Sequence, residues 1–330
     1  MYKGFEYINC PLCGQNETEL KFTAQVLPHQ IGLFSFDEWN IVVCQHCGFN
    51  YVNPRITEEV NQQYYKFELD GDQSFIRNHF IDAAAYHIPY WQRMVRVVQK
   101  YKQSGNLLDI GCGNGAFLKV ARSAGFHVFG QDISDYFVEY NQNENQIFVY
   151  NGELDQLNLA EETFDVITCF DVIEHHRNPK ALLSEVKRLL KPGGIVIITT
   201  HDIGNVFAKF YGSKWRMIYP IGHLTYFSKK TIKRMLSRYD YKIIRLTGAN
   251  TIDNNIVREL RNSIRSFFVT IMLRTLILLI YKPILDLFPR LKRWKFHIKG
   301  KTLTHELVTT IAGEQLISND ELVAIAQTDH

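Results

Sequence analysis

The sequence lacks the features that mark several classes of protein. Its first ten residues, MYKGFEYINC, contain no apolar stretch of the signal-peptide kind, and no uninterrupted apolar run reaches the about 20 residues that a helix needs to cross a bilayer. Internal repeats, linkers rich in proline, glycine or serine, and low-complexity tracts are also missing. These absences disfavour a secreted, membrane-spanning, solenoid or disordered protein, and we expect a folded protein in the reducing cytoplasm.

An excess of charge of one sign is also lacking. The 330 residues carry 37 Lys and Arg against 34 Asp and Glu, and the net charge of +3 is too small to indicate a nucleic-acid-binding protein by itself. The distribution is uneven, because eleven Lys or Arg lie between Arg258 and Lys301 against only Glu259 and Asp286. This late segment therefore favours anionic or headgroup-like surroundings.

An apolar run of fifteen residues, Phe267–Tyr281, lies inside the basic segment and is interrupted by Arg274. The run is too short to span a bilayer. Residues 264–296 are therefore predicted to form either a helix on the inner membrane surface or a hydrophobic lid packed on the core or on a second subunit. The sequence does not decide between these two possibilities. It also does not indicate the oligomeric state.

Cysteine is scarce, with six residues in the chain, but four of them form two pairs. Cys10 and Cys13 are followed, after a spacer of thirty residues, by Cys44 and Cys47, and a glycine comes directly after each pair. Four thiolates at this spacing are typical of a tetrahedral Zn²⁺ site, which would be structural because no position is left for substrate. We predict a zinc ribbon over residues 1–55, whose net charge of −2 argues against phosphate binding.

A strand, a glycine-rich turn and a helix are predicted in succession after the first hundred residues. Leu107–Ile110 is apolar, Gly111, Gly113 and Gly115 follow at alternate positions, and Ala116–Ala124 is amphipathic. Glycines at the carboxyl end of the first strand of a parallel sheet let the backbone approach a ligand closely. The G-x-G-x-G pattern alone does not distinguish one nucleotide-type ligand from another.

Acidic residues near this turn narrow the choice of ligand. Asp109, two residues before the first glycine, suits a cationic group and would repel a pyrophosphate. Asp132 ends the second apolar run, where an acid can hold two ribose hydroxyls. Glu153 and Leu154 follow a third run and are placed to meet an adenine edge. The ligand implied is adenosine-bearing and positively charged.

With these blocks the sequence resembles the class I S-adenosylmethionine-dependent methyltransferases, of the type 12 and type 23 kind. The likeness extends from residue 105 to about residue 248, through Phe164–Phe170, Asp171-Val-Ile-Glu-His175, Pro179-Lys-Ala-Leu-Leu and Leu189-Leu-Lys-Pro-Gly-Gly194. The cysteine pairs, Asn53-Pro54-Arg55 and Gly222–Ser228 resemble a subgroup of methyltransferases with a zinc ribbon, some of which act on sugars or other small metabolites.

The resemblance implies roles for individual residues around S-adenosylmethionine. Asp109, Gly111, Gly113 and Gly115 would form the cofactor loop, and Asp132 would bind the ribose. Glu153 and Leu154 would flank the adenine, and Phe170 and Asp171 would lie beside the methionine moiety.

Candidate bases for activating the acceptor come from later segments. Relatives often have a Thr-Pro-Asn turn after the fifth strand, whereas this chain has Thr199-Thr200-His201-Asp202. Methyl transfer is an in-line displacement, and an oxygen or nitrogen acceptor benefits from a positioned base. We predict that His201 or His223 serves as this base, with Tyr226 as the alternative.

Together these patterns predict an α/β protein with a seven-stranded, Rossmann-like methyltransferase sheet. The expected domains are a zinc ribbon at 1–55, a helical connector and substrate lid at 56–104, and a core at 105–330 with a hydrophobic insertion at about 249–320. The expected activity is methyl transfer from S-adenosylmethionine to a small-molecule or lipid-linked acceptor, such as a saccharide. The alternatives are an RNA methyltransferase that holds RNA with the ribbon or the basic insertion, and a non-catalytic protein that binds the cofactor.

Overall fold

The structure is a computed structural model that describes residues 4–25, 38–70, 81, 84–248, 296–298, 301–303 and 321–328. The chain divides into two compact units, one formed by Met1–Thr247 with Leu322–His330 and the other by Gly248–Glu321. Apart from Phe296, the predicted membrane-surface or lid segment at 264–296 lies outside the described residues. Among the helices that are described, none has the length and apolar character needed to cross a membrane.

Short strands and two longer helices form the N-terminal part of the first unit. In chain order these elements are β1 (Phe5–Glu6), β2 (Thr18–Gln25), β3 (Glu38–Cys44), β4 (Asn50–Val52), β5 (Arg55–Ile56), α1 (Glu58–Asp70) and α2 (Ala84–Gln99). β1 pairs with β5, while β2, β3 and β4 form an antiparallel sheet. We call this the N-terminal sheet.

Alternating strands and helices follow. They are β6 (Gly105–Ile110), α3 (Ala116–Ser123), β7 (Phe126–Asp132), α4 (Asp135–Tyr140), β8 (Val149–Asn151), β9 (Phe164–Phe170), α5 (Pro179–Leu189), β10 (Leu190–His201), α6 (Val206–Tyr211), β11 (Thr225–Tyr226), α7 (Lys229–Arg238), β12 (Tyr241–Gly248), β13 (Phe296–Ile298), β14 (Lys301–Leu303) and β15 (Glu321–Thr328). β13 and β14 pair with each other as an antiparallel hairpin.

Seven of these strands form one sheet, in the order β12-β15-β10-β9-β6-β7-β8. The pairs β10 with β9, β9 with β6, β6 with β7, and β7 with β8 are parallel. Central strands such as β9 read as nearly continuous apolar runs because both of their faces are buried. The predicted α/β class and seven-stranded sheet are confirmed.

Local sequence explains where the helices of the core begin. The side chain of Asn178 accepts a hydrogen bond from the backbone of Ala181 at the start of α5, and Pro179 occupies the first helical turn, where a missing N–H costs nothing. α7 begins with a capping box between Ser228 and Thr231.

The cysteine-bearing segments pack directly on the core. Phe49 and Phe227 are fully buried with ring centroids 5.0 Å apart, and both belong to the same hydrophobic cluster as Leu12 and Met235. Arg234 in α7 donates a hydrogen bond of 2.8 Å to the carbonyl of Cys47. The predicted ribbon therefore shares a hydrophobic core with the seven-stranded sheet. The domain boundaries after residues 55 and 104 remain predictions from the sequence.

Candidate active site

The carboxyl ends of four neighbouring parallel strands meet at one edge of the large sheet. β6 ends at Ile110, β7 at Asp132, β9 at Phe170 and β10 at His201. Open parallel sheets bind their ligands at this edge, because the connections leave in opposite directions there and open a crevice. Most of the predicted site residues lie at these strand ends or in the turns directly after them.

The turn after β6 has the backbone that its glycines predict. Gly111 has φ 64° and Gly115 has φ 70°, both in the left-handed region that side chains disfavour. A Cβ atom at Gly111 would lie 2.5 Å from a methyl of Val172, and one at Gly115 would clash with the side chain of Asn141. The glycines are therefore required by close packing as well as by conformation.

Asp132 ties this turn to the second strand. Its Oδ2 accepts a hydrogen bond of 2.8 Å from the backbone N–H of Gly113, and its Oδ1 accepts one of 3.0 Å from the N–H of Ser134. The carboxylate is buried, and the bonds from two amides favour its charged form. This geometry fixes an anionic group beside the glycine turn.

Asp109 is buried behind the same turn. The hydroxyl of Thr168 donates a hydrogen bond of 2.6 Å to its Oδ1. Burial raises the pKa of Asp109 to about 7, and the nearby charge of Asp132 acts in the same direction, whereas the bond from Thr168 lowers it. A buried acid that titrates near neutrality is an arrangement typical of functional sites.

Polar side chains that the sequence interpretation missed support the turn. Asn141 donates a hydrogen bond of 2.7 Å to the carbonyl of Gly113, and Asn145 donates one of 2.9 Å to the carbonyl of Asn114. Both asparagines are buried in a π-helical turn that continues α4. The sequence signal for them is the asparagine-rich run Asn141–Asn145. Buried side-chain amides need hydrogen-bond partners, and here the partners are the backbone carbonyls of the glycine turn.

Gln131 in β7 was also missed, and its side chain links two loops. Its side-chain Nε2 donates a hydrogen bond of 2.6 Å to the carbonyl of Gly152, and its Oε1 accepts one of 3.2 Å from the N–H of Gly111. Next to Gly152, Glu153 lies 3.9 Å from the imidazole of His176, and burial raises its pKa. The side chain of Leu154 is packed in the hydrophobic core, so only its backbone is available to a ligand.

The end of β9 carries an aromatic side chain and a strained acid. The ring of Phe170 lies 4.8 Å from that of Phe117 and 5.4 Å from that of Trp91 in α2. Asp171 is exposed with φ 52°, and its Oδ1 accepts a hydrogen bond of 3.0 Å from the hydroxyl of Thr199. Left-handed backbone at a residue other than glycine is a strain that functional sites often contain. Trp91 lies in the segment 56–104 that was predicted as a connector and lid, but no pattern in the sequence indicated its contact with Phe170.

Both predicted histidine bases lie in one cluster beyond the ends of β9 and β10. The ring centroids of His201 and His223 are 5.4 Å apart, and that of His175 lies 4.7 Å from His223. Glu174, buried beside them, approaches the Nε2 of His201 to 3.7 Å. Burial lowers the pKa of His175 to about 4 and that of His223 well below its ordinary value, so both rings are neutral near pH 7.

Tyr226, the alternative base, is placed differently. It lies in β11, which pairs with β4 and so joins the N-terminal sheet, and its ring centroid is 6.3 Å from that of His223. The residue is 3 % exposed, and burial raises the pKa of its phenol above the ordinary value. The phenol therefore keeps its proton at neutral pH and is suited to donate a hydrogen bond.

The four paired cysteines converge at one point. The Sγ atoms of Cys10 and Cys47 are 3.5 Å apart, those of Cys13 and Cys44 are 3.5 Å apart, and all four lie within 4.8 Å of one another. Zinc bonds of about 2.3 Å in a tetrahedron place sulfur atoms about 3.8 Å apart. The four thiols thus fit a tetrahedral metal ion. Cys112 and Cys169 are buried elsewhere in the core.

Comparison with known proteins gives a consistent result. A model of the methyltransferase domain family matches residues 82–246, which is half of the chain. A ubiquinone biosynthesis O-methyltransferase of Pasteurella multocida is 32% identical over 118 residues, covering 28% of this chain and 45% of that enzyme. An uncharacterised protein of Methanocaldococcus jannaschii is 28% identical over 184 residues, covering 55% of this chain and 82% of that protein.

A solved structure shares the fold. Phosphoethanolamine N-methyltransferase 2 of Haemonchus contortus, in complex with S-adenosyl-L-methionine, superposes with a TM-score of 0.50 at 15% identity, covering 95% of this chain and 69% of that one. At such low identity the likeness concerns the fold alone. The chain spans less than half the length of the ubiquinone biosynthesis enzymes that it matches. The family match, the sheet order and the glycine turn together show that this chain belongs to the class I S-adenosylmethionine-dependent methyltransferases.

Proposed function

We propose that this methyltransferase acts on a small-molecule acceptor, held at the histidine cluster beside the glycine turn. The observation that carries the proposal is the set of buried, neutral imidazoles at the edge of the sheet where the cofactor turn also lies. A bound S-adenosylmethionine would supply an electrophilic methyl group on its sulfonium sulfur. Attack by the acceptor forms the new bond to carbon as the C–S bond breaks, and the acceptor's proton must leave.

The residues around the turn have chemistry that suits the cofactor. The charge of Asp132 favours the two ribose hydroxyls, and its bonds to Gly113 and Ser134 hold it in place. Asp109 supplies a carboxyl group that a cationic ligand would ionise. We assign Phe170 and Asp171 to the methionine end and Glu153 with the backbone of Leu154 to the adenine end.

His201 and His223 give two ways of activating an acceptor hydroxyl or amine. Either His201 or His223 can accept the proton directly, since a neutral imidazole has one nitrogen lone pair. Alternatively the same lone pairs can bind a cation that acidifies the acceptor. Tyr226 fits a donor that orients the acceptor better than a base, because burial raises the pKa of its phenol.

Several properties favour a small acceptor over RNA. Burial of His223 and Tyr226 suits a compact substrate more than a polynucleotide backbone. The net charge of −2 over residues 1–55 gives the ribbon little attraction for phosphates. The matched relatives are named ubiquinone biosynthesis O-methyltransferases, and the O-methyl transfer in that name supports an oxygen acceptor. Saccharide and lipid-linked acceptors both remain within this proposal.

We further propose that Cys10, Cys13, Cys44 and Cys47 bind one structural zinc ion. The spacing of their sulfur atoms suits a tetrahedral ion, and four thiolates leave no open position for chemistry. The knuckle geometry supports this, because Gly14 and Gly48 each donate a backbone hydrogen bond of 2.8 Å to the first cysteine of their pair. The metal would hold together a segment whose aromatic side chains pack on the catalytic core.

The acceptor class can be tested by release of S-adenosylhomocysteine. We expect turnover of S-adenosylmethionine with one or more members of a panel of hydroxylated small molecules, including sugars, sugar conjugates and quinols. With structured and single-stranded RNA we expect release at the rate without acceptor. Release that requires RNA and falls steeply as salt is raised would instead support the RNA alternative. Tight cofactor binding without turnover on any panel would support the non-catalytic one.

Titration of Asp109 predicts that cofactor affinity depends on pH. With a pKa of about 7, its carboxyl is mostly protonated at about pH 6 and mostly ionised at about pH 8. A cationic ligand prefers the ionised form, so S-adenosylmethionine should bind several-fold more tightly at the higher pH. Asp109→Asn should flatten this dependence, whereas exposed Asp240→Asn should keep it. Calorimetric titrations that give the same pH dependence for wild type and Asp109→Asn would contradict the assignment.

Loss of a zinc ligand should destabilise the whole first unit, because Leu12 and Phe49 pack in the core of the sheet. Cys47→Ser should lower the zinc content by one ion per chain relative to the wild type and lower the unfolding temperature by about 5 °C or more. Exposed His46→Ala, between the same ligands, should change neither quantity. Elemental analysis that finds no zinc in protein purified without chelator would refute the proposed metal.

A further inference from the structure

We propose that Glu174, His201 and His223 form a second metal site, which binds a divalent transition-metal ion at the acceptor side of the cleft. One oxygen of Glu174 and one ring nitrogen of each histidine lie within 4.8 Å of one another. The inference rests on the proposed function, since it assigns to these histidines the binding of a cation that activates the acceptor. It involves none of the four cysteines.

The three side chains come from three different segments that the fold brings together. Glu174 lies in the turn after β9, His201 ends β10, and His223 precedes β11. The backbone carbonyl of Glu174 accepts hydrogen bonds of 2.9 Å and 3.1 Å from the N–H groups of Leu224 and Thr225. These bonds fix the turn that carries Glu174 against the segment that carries His223. The donor set is therefore held by backbone pairing as well as by side-chain packing.

The orientation of His223 is defined by its other nitrogen. Its Nδ1 lies 2.8 Å from the carbonyl oxygen of Met217, an acceptor, so Nδ1 carries the proton. In the neutral ring the lone pair is then on Nε2. A histidine whose second nitrogen donates to a carbonyl is the usual arrangement of a metal ligand, since that bond fixes the tautomer and the ring plane.

Burial makes a cation favourable at this point. Glu174 is 2 % exposed, and a buried carboxylate is stabilised by a positive charge beside it. The Nε2 of His201 lies 3.7 Å from Oε1 of this carboxylate. A divalent ion between Glu174, His201 and His223 would add positive charge beside the carboxylate and take one ring nitrogen of each histidine as a ligand.

The donor set indicates the class of metal and its chemistry. Two imidazoles and one carboxylate suit Zn²⁺, Mn²⁺, Fe²⁺ or Co²⁺ better than Mg²⁺ or Ca²⁺, which prefer oxygen ligands alone. Three protein ligands leave positions open for oxygen atoms of the acceptor. A coordinated hydroxyl loses its proton to water more readily, and the resulting oxygen anion attacks the methyl carbon as the C–S bond breaks. The acceptor class implied is a hydroxyl compound, ideally one with a second adjacent oxygen that chelates the metal.

The full-length protein with its zinc ribbon intact provides the test, with Mn²⁺ and Co²⁺ alone as probes. Mild chelation should empty the weaker site and leave the ribbon zinc, after which Mn²⁺ binding is followed by electron paramagnetic resonance and calorimetry. We expect one Mn²⁺ per chain in the wild type. Co²⁺ should give d–d absorption bands without the thiolate charge-transfer band that the cysteine site would produce.

Ligand variants locate the ion. Glu174→Gln, His201→Gln and His223→Gln should each weaken Mn²⁺ binding by about tenfold or more, whereas exposed His127→Ala and exposed Glu139→Gln should leave it unchanged. Unfolding temperature and S-adenosylmethionine affinity, measured on the same variants, show whether each variant is folded. The wild-type titration does not depend on any variant, and a wild type that binds neither probe beyond the ribbon zinc would overturn the inference.

The outcomes also separate this inference from the proposed function. If methyl transfer to a small acceptor is observed and is unaffected by chelation that leaves the ribbon zinc, the metal site is wrong and the histidines act as bases. If Mn²⁺ binds with the expected ligand dependence but only RNA is methylated, the metal site stands and the small-molecule proposal fails. Tight binding that the three variants leave unchanged would place the ion elsewhere and refute the site.

Discussion

The pairing of two short strands, β4 and β11, connects the N-terminal sheet to the edge of the large sheet where the candidate active site lies. β11 contributes only Thr225 and Tyr226, which pair with Tyr51 and Asn50 of β4. His223 lies two residues before this strand, and the N–H groups of Leu224 and Thr225 donate hydrogen bonds to the carbonyl of Glu174. The place of His223 therefore depends on a sheet whose other strands flank the cysteine pairs. This dependence gives the ribbon a physical role in the proposed chemistry, since it positions a side chain without having to contact the substrate.

The cleft has two regions that differ in the charge of their buried side chains. Around the glycine turn, Asp109 and Asp132 are buried acids, and burial of like charges close together raises the pKa of Asp109. That arrangement is unfavourable in the isolated protein and becomes favourable when a cationic ligand binds, so it selects for such a ligand. Beyond β9 and β10, His175 and His223 are neutral because burial lowers the pKa of each imidazole. Lone pairs in that region are available to a proton or to a metal ion.

Much of the fold could be predicted because its signals are local. The apolar run of β9, the glycines after β6 and the capping pair of α7 each follow from a few adjacent residues. Asp132 was predictable for the same reason, since it stands at the end of a strand. The position of β11 was not predictable, because a two-residue strand has no periodicity and its partner lies more than 170 residues earlier in the chain.

The supporting residues of the site were missed for a related reason. Asn141, Asn145 and Gln131 act through hydrogen bonds to backbone carbonyls of distant loops, and such bonds leave no spacing pattern in the sequence. The grouping of Glu174 with His201 and His223 likewise depends on three segments meeting in space. The side chain of Leu154 packs in the core, and the predicted place of Glu153 and Leu154 beside adenine remains a prediction.

The central claim, that this sheet edge binds S-adenosylmethionine through Asp132, is tested most directly by calorimetric titration of the cofactor into wild type and Asp132→Asn. Loss of charge-assisted bonds to two ribose hydroxyls, each worth about 1.5 to 3 kcal/mol, should weaken binding by at least about tenfold, whereas Asp240→Asn should bind like the wild type. Equal affinity in Asp132→Asn, or binding of NAD in preference to S-adenosylmethionine, would contradict the account.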